Sequence, residues 1–256
     1  MTKGMKESII KYLKENRRYD GRKLDQYREI VIENDVSKSA EGSARVKIGD
    51  TEVLAGVKLA IEAPYPDTPD EGNLMVGAEL LPISNPEFEG GPPGIDSIEL
   101  ARVVDRAIRE SKAIDTKKLV IEKGEKVWAI MIDICPLNDS GNLFDAVALA
   151  AIIALKNTKF PEYKDEKIDY KKKTKQTLPL KKLPISITVF KVGDYYIVDP
   201  LNDEERVMDA RLTVALTEDN IICALQKGGD SPLTTEDISK MVDIATKKAS
   251  EIRKKL

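Results

Sequence analysis

The sequence has 256 residues, a net charge of −3 and no histidine. Without histidine every Ser-His, Cys-His and His-metal mechanism is excluded, and the acidic balance argues against a surface that is basic all over. The longest uncharged apolar run, Ala146 to Leu155, is about half the ~20 residues a membrane span needs, and the opening MTKGMKES lacks a signal-peptide core, so a cytoplasmic protein with no membrane partner is expected.

The chain opens with an amphipathic helix over about 3–16, where Met5, Ile9 and Leu13 fall four apart on one face. RRYDGRKLDQYREI breaks it. SARVKIGDTEVLAGVKLAIEA alternates around the turn-forming pair Gly49-Asp50 and reads as a β-hairpin, followed by a strand in NLMVGAELLPI and a Pro/Gly-rich connection, SNPEFEGGPPGIDS. A helix over about 97–112 follows, with Asp96 and Glu99 at capping-box spacing.

Strands are predicted in KLVIEKG and KVWAIMIDICPL, then an apolar helix over about 143–157, buried on most of its surface. The lysine run KKKTKQTLPLKK at 171–182 reads as a solvated loop between elements. LPISITVFKVGDYYIVDP and RVMDARLTVALTEDNIICALQKGG give two more hairpins. A closing amphipathic helix over about 234–254 carries Ile238, Met241, Val242, Ile244 and Ala245 on its apolar side. Cys135 and Cys223 lie in apolar strand-like runs without a CxxC neighbour and read as reduced core thiols, so no metal site is expected. The order of elements makes the chain α+β. The echo of VKIGDTEV in VFKVGDYYIV, each opening a group of strands later followed by a helix, suggests two similar halves.

Two stretches carry candidate chemistry. NDSGNLFDAVALAAIIAL sets a turn of small polar residues before a helix whose first amides are unpaired, as in a phosphate cradle, yet Leu143 stands where a cationic clamp is expected. This is a working site, a dismantled one or an ordinary helix start. On the helix over 97–112, Arg102, Arg106 and Arg109 form one row opposite Leu100, Val103, Val104, Ala107 and Ile108. Glu99 and Glu110 stand at ion-pair spacing from Arg102 and Arg106, which would make the row a solvated face. The use of arginine three times in a lysine-preferring chain favours phosphate recognition instead.

The segments YDGRKLDQYREI, EGSARVKIGDTEVLAGV, GPPGIDSIELARVVDRAIRESKAID, DICPLNDSGNLFDAVALAAIIAL and VDPLNDEERVMDARLTVALTEDNIICALQKGG, in that order, resemble the RNase PH family. Within it they are most similar to the non-catalytic RNase PH-like subunits of the archaeal exosome. The resemblance runs from about 15 to 255 and implies two pseudo-symmetric halves, each a small sheet packed on helices. On that basis residues 1–20 are a helical extension. The RNase PH-like domain spans 21–256, with halves at approximately 21–160 and 180–256 joined by the Lys-rich loop.

The resemblance also implies a hexameric ring, a trimer of heterodimers, in which a catalytic RNase PH-like partner uses phosphate and magnesium to shorten single-stranded RNA. Proteins with RNA-binding domains cap the ring. Catalytic relatives have Gly-Thr-Arg at the turn before the apolar helix, and the matching positions here are Gly141, Asn142 and Leu143. Their acidic pair falls on Glu205 and Arg211, although a shifted alignment would bring in Asp209. Both sites are therefore expected to be degenerate, leaving a subunit that has no cofactor and does no chemistry. The alternative is an active phosphate-dependent exoribonuclease using Asp209 and an unrecognised phosphate ligand. In the same family the arginines matching Arg102 and Arg106 reach toward the RNA path, with Arg109 a lesser candidate.

Overall fold

The computed structural model describes residues 2–256. In chain order the first half holds α1 (Thr2–Lys14), β1 (Ile30–Asn34), β2 (Gly42–Ile48), β3 (Thr51–Glu62), β4 (Asn73–Ala78), α2 (Ile95–Glu110), β5 (Val120–Glu122), β6 (Lys126–Asn138) and α3 (Leu143–Lys156). Then come β7 (Lys159–Lys164), β8 (Lys167–Thr177), β9 (Ile185–Val192), β10 (Tyr195–Val198), α4 (Asn202–Glu205), β11 (Ala210–Leu216), β12 (Ile222–Gly228) and α5 (Thr235–Arg253).

Period-two burial along β3, with Val53, Ala55, Val57 and Leu59 inward, sets the register of the first sheet, ordered β1-β2-β3-β6-β4. Every pair in it is antiparallel except β4 with β6. The second sheet runs β10-β9-β11-β12, all antiparallel. Helix α3 is apolar nearly all round and packs on β2 and β3 while also touching β9, so one helix serves both sheets. Helix α5 covers β9 and β11, and α2 packs on β4.

The α+β reading holds, and several local expectations are corrected. The Lys-rich run is not a loop. Its greater part is β8, paired antiparallel with β7, and the pair is anchored by edge contacts of Trp128 with Phe160 and Tyr163. The period-two signal fails there because β8 is exposed along most of its length and needs no apolar face. Helix α2 starts before Asp96: Gly94 is its N-cap and no side chain caps it. Strand β4 ends at Ala78, short of the LLPI segment. On α5 Met241 and Ala245 are buried as expected and Val242 and Ile244 pack at the edge of the core, but Ile238 is exposed, and Ala249 and Ile252 complete the buried side.

The N-terminal helix is integral to the second half. Ile9 and Leu13 pack against Phe190, Val192, Ile197 and Val207 on the face of the second sheet turned away from the main core. The two Gly-Asp hairpins share a turn, with Gly49 at φ +57 and Gly193 at φ +60, but not a place in their sheets. In the first sheet the next strand, β6, joins the second hairpin strand. In the second sheet β11 joins the first. The halves are alike as sheet-plus-helix layers, and the hairpin echo does not mark equivalent positions.

Candidate functional site

The turn before α3 has the backbone of an anion cradle. Gly141 is at φ +92 and Asn142, the N-cap, is left-handed at φ +62. No side chain fits at 141, where a Cβ would lie 2.4 Å from the Pro200 carbonyl oxygen. The three amides of the turn itself, at 140–142, are already in use. Ser140 N–H donates to Thr51 Oγ1 at 3.1 Å, Gly141 N–H to Asp139 Oδ1 at 3.0 Å and Asn142 N–H to Glu205 Oε2 at 3.4 Å. The protein's own carboxylates stand where an exogenous anion would.

Beneath the turn lies a buried charge network. Asp199, fully buried, accepts from Arg22 at 2.8 Å, from Arg28 Nη2 at 2.6 Å and from the Asn142 amide at 3.1 Å. Arg28 reaches on to the carbonyls of Ser140 and Gly141 at 2.9 and 3.0 Å. Its aliphatic stem lies across Gly49, where a Cβ would come within 2.4 Å of Arg28 Cδ. Asp145, in the first turn of α3, accepts from Tyr27 at 2.5 Å and from the Thr188 amide at 2.8 Å. Burial raises its carboxyl to about 7, against the hydrogen bonds that favour the charged form.

Leu143 opens α3 into a cleft of about 390 Å³ that also holds Leu80, Phe88, Leu100 and Phe144. Its charged lining is Glu87, Asp96, Glu99, Asp139 and Glu205 against only Arg206 and Arg211. Each arginine is already paired, Arg206 with Glu87 at 2.7 Å and Arg211 with Glu99 at 2.8 Å. Burial, then the nearby Asp139, pushes the Glu205 carboxyl up to about 7. A cleft with this surplus of carboxylates repels phosphate.

The second acidic candidate lies elsewhere. Asp209 forms an ion pair with Lys6 of α1 and accepts from the Gly193 amide at 2.7 Å, on the turn of the β9-β10 hairpin. Burial works against its charge, but Lys6 and that amide outweigh it and hold the carboxyl below its ordinary range. Glu205 and Asp209 are thus not brought together, and a shifted alignment restores no pair. Arg211 lies over the Phe144 ring, 4.0 Å from its centroid. Its course requires glycine at 228, where a Cβ would fall 2.3 Å from the guanidinium carbon.

The arginine row falls on α2 as the spacing predicts, with Leu100, Val103, Val104, Ala107 and Ile108 buried behind it. Neither expected ion pair forms. Glu99 turns to Arg211 and Gln226, while Arg106 bonds the Gln226 side chain. Arg109 pairs with Asp105 at 2.8 Å and donates to the Leu74 carbonyl at 3.2 Å. Arg102 is exposed and, among the described residues, bonds to no side chain. Arg102 and Arg106 line one open cleft of about 720 Å³ between α2, β4 and the end of β6, and Arg109 does not reach it.

The sequence reading missed Asp199, Arg28 and the inward role of Glu205. The Asp-Gly-Arg at 20–22 was the available signal, since Arg22 is one of the guanidinium groups that hold Asp199. Among the described residues no cluster of three or more acidic, Cys or His side chains has metal-binding geometry, and no helix is long and apolar enough to cross a membrane.

Comparison with known proteins adds three findings. Residues 26–161 match domain 1 of the 3′ exoribonuclease (RNase PH) family, and residues 182–248 match domain 2. The exosome complex component Rrp42 of Archaeoglobus fulgidus is 48% identical over 251 residues, covering 98% of this chain and 95% of that protein. Its counterpart from Methanothermobacter thermautotrophicus is 43% identical over 249 residues, covering 96% and 92%. A chain of the Archaeoglobus fulgidus exosome with RNA bound to the active site superposes with a TM-score of 0.92 at 47% identity, covering 99% of this chain and 98% of that one. Rice Rrp46, at 18% identity and a TM-score of 0.71, shares the fold.

Proposed function

The chain belongs to the RNase PH, or 3′ exoribonuclease, family, and we propose that it is a non-catalytic ring subunit of an archaeal-type exosome, a 3′-5′ phosphorolytic exoribonuclease complex. In that assembly a catalytic RNase PH-like subunit pairs with it three times around the ring, and RNA-binding cap proteins sit on one face. Phosphate and magnesium act in the partner. This chain completes the ring, supports the partner's active site and lends Arg102 and Arg106 to single-stranded RNA. A cytoplasmic location accompanies this role.

One observation supports the inactive part of the proposal: Glu205 already meets the Asn142 amide, and the next residue is the aliphatic Leu143 and not a cation. A phosphate brought there would lose hydration beside an aliphatic side chain and meet a carboxylate. Two like charges at about 4 Å repel by about 4 kcal/mol at an effective dielectric of 20. An Arg fork would have supplied charge-assisted bonds of roughly 1.5–3 kcal/mol each. The rival, an enzyme working through Asp209, would have to draw that residue away from Lys6 and the Gly193 amide before it reached the cleft.

The test is direct. The purified chain, given phosphate, magnesium and 3′-labelled single-stranded RNA, should release no nucleoside diphosphate, and addition of a catalytic RNase PH-like partner should start release. Robust release by the lone chain would reverse the assignment.

A further inference from the structure

Beyond the last turn of α2 the chain builds a second basic cleft, separate from the one lined by Arg102 and Arg106. It encloses about 420 Å³ and is lined in part by Tyr65, Arg109, Lys112, Lys117 and Lys181, with Glu71 and Asp115 as its only acidic groups. Both carboxylates are engaged. Glu71 accepts from Thr116 at 2.8 Å, and Asp115 pairs with Lys181 at 2.9 Å. Lys112 and Lys117 are exposed and, among the described residues, have no ion pair. Arg109, Lys112, Lys117 and Lys181 face two carboxylates, and Glu71 keeps its charge beside Thr116, so in a chain of net charge −3 the cleft holds a local excess of cation.

Two features show that the cleft is held in shape. Tyr65 is 45% exposed, but it starts a loop fixed by backbone bonds from Thr68 N–H to the Tyr65 carbonyl at 3.0 Å and from Gly72 N–H to the Thr116 carbonyl at 2.9 Å. Its ring is therefore presented on a braced segment. Lys112 ends α2 at φ +53, where Lys112 N–H bonds the Arg109 carbonyl and Ala113 N–H the Ile108 carbonyl, a left-handed helix stop that ordinarily takes glycine or asparagine. Among the described residues, eight non-glycine positions have positive φ, and six of these are Asn or Asp. Lysine adopts that backbone at a cost, offset in part by the helix dipole, and its side chain is directed to the cleft.

We propose that this cleft is a second single-stranded RNA subsite, in which an unpaired base stacks on Tyr65 while Lys112 and Lys117 hold the adjoining phosphates. The inference rests on the RNA-binding role proposed above and extends it to a new place on the chain. A flat aromatic face beside unpaired cations suits an exposed base with its phosphates. A duplex keeps its bases stacked inside, and an acidic peptide has no plane to offer the ring. From Arg102 to Lys112 the helix rises about 15 Å, so the two clefts lie on one strand-length course along α2.

The experiment uses the ring reconstituted with a catalytic partner, in phosphate-free buffer, and measures the affinity of labelled single-stranded RNA and of an abasic strand of equal length at several salt concentrations. Tyr65→Leu should weaken RNA about fivefold or more and leave the abasic strand unchanged. Lys112→Gly with Lys117→Gln should lower the salt slope by about 1.4 for two lost phosphate contacts on a single strand. Lys112→Gly also relieves the left-handed backbone, so Tm should not fall and lost binding cannot be put down to unfolding. Unchanged affinity and slope, or equal losses on RNA and the abasic strand from Tyr65→Leu, would overturn the subsite. Inorganic phosphate binding that the lysine variants abolish while RNA affinity stays constant would make it a free-anion site and overturn it equally. Ring assembly and the inactivity of the lone chain, checked on the same samples, separate failure of this inference from failure of the ring-subunit reading.

Discussion

At the start of α3 nearly every charge has an internal partner, whereas along the outer face of α2 the cations are only partly matched. Asp199 holds two guanidinium groups, Glu205 and Asp139 cap the amides of the turn, and Leu143 contributes no charge. On α2, Arg102 bonds to no side chain, and Arg106 has only an uncharged amide as partner. The turn has the backbone of an anion cradle and serves as a structural joint between the halves. The arginine face has kept charge that folding does not use. Unspent charge on a rigid helix is what a polyanion can exploit, and a filled turn is what it cannot.

Three measurements would break or sharpen this contrast. The largest effect is expected at the joint. Asp199→Asn keeps the shape and tolerates the left-handed backbone at φ +48, but leaves Arg28 without its carboxylate and Arg22 with Asp20 alone. Breaking a buried pair in this way costs roughly 3–5 kcal/mol, read as a lower urea midpoint. A loss below about 1 kcal/mol would mean that the turn is not a joint. Next, Arg102→Glu with Arg106→Glu should slow RNA degradation by the reconstituted ring about tenfold or more at limiting RNA, with assembly and Tm nearly unchanged. An unaltered rate would return the row to a solvated face.

The smaller effect on stability concerns pH. The Glu205 carboxyl lies at about 7 against an ordinary value of 4.5, so the folded chain binds its proton more tightly than the unfolded one does. The stability this gives is present below about 4.5 and is lost as pH rises toward 7. Glu205→Gln should flatten that part of the stability profile by about 2 kcal/mol, measured as urea midpoints at pH 5 and 7.5. An identical slope in the variant would show that Glu205 is not confined beside Asp139. Asp145, also raised to about 7, should maintain a residual decline in both proteins.

Periodicity alone determined the regular elements with a buried face: α2, α3 and the β2-β3, β9-β10 and β11-β12 hairpins all fall close to where spacing and turn residues put them. The arginine row was legible for the same reason, because helical spacing fixes which side chains share a face. The turn at 141–143 read as an anion cradle without a cationic clamp, and only the family resemblance set Arg211 against an expected acidic residue. Tertiary structure alone decided which side chains meet the turn. Glu205 reaches Asn142 across 63 positions of sequence and Arg28 reaches Asp199 across 171, and no local pattern encodes which carboxylate meets which amide. The same limit hid β8, a strand held by its partner and by Trp128 contacts rather than by its own alternation, and it hid the separation of Asp209 from Glu205. Burial patterns are local and written in the chain. Charge pairing is a property of the packed interior, where low dielectric makes each distant partner count.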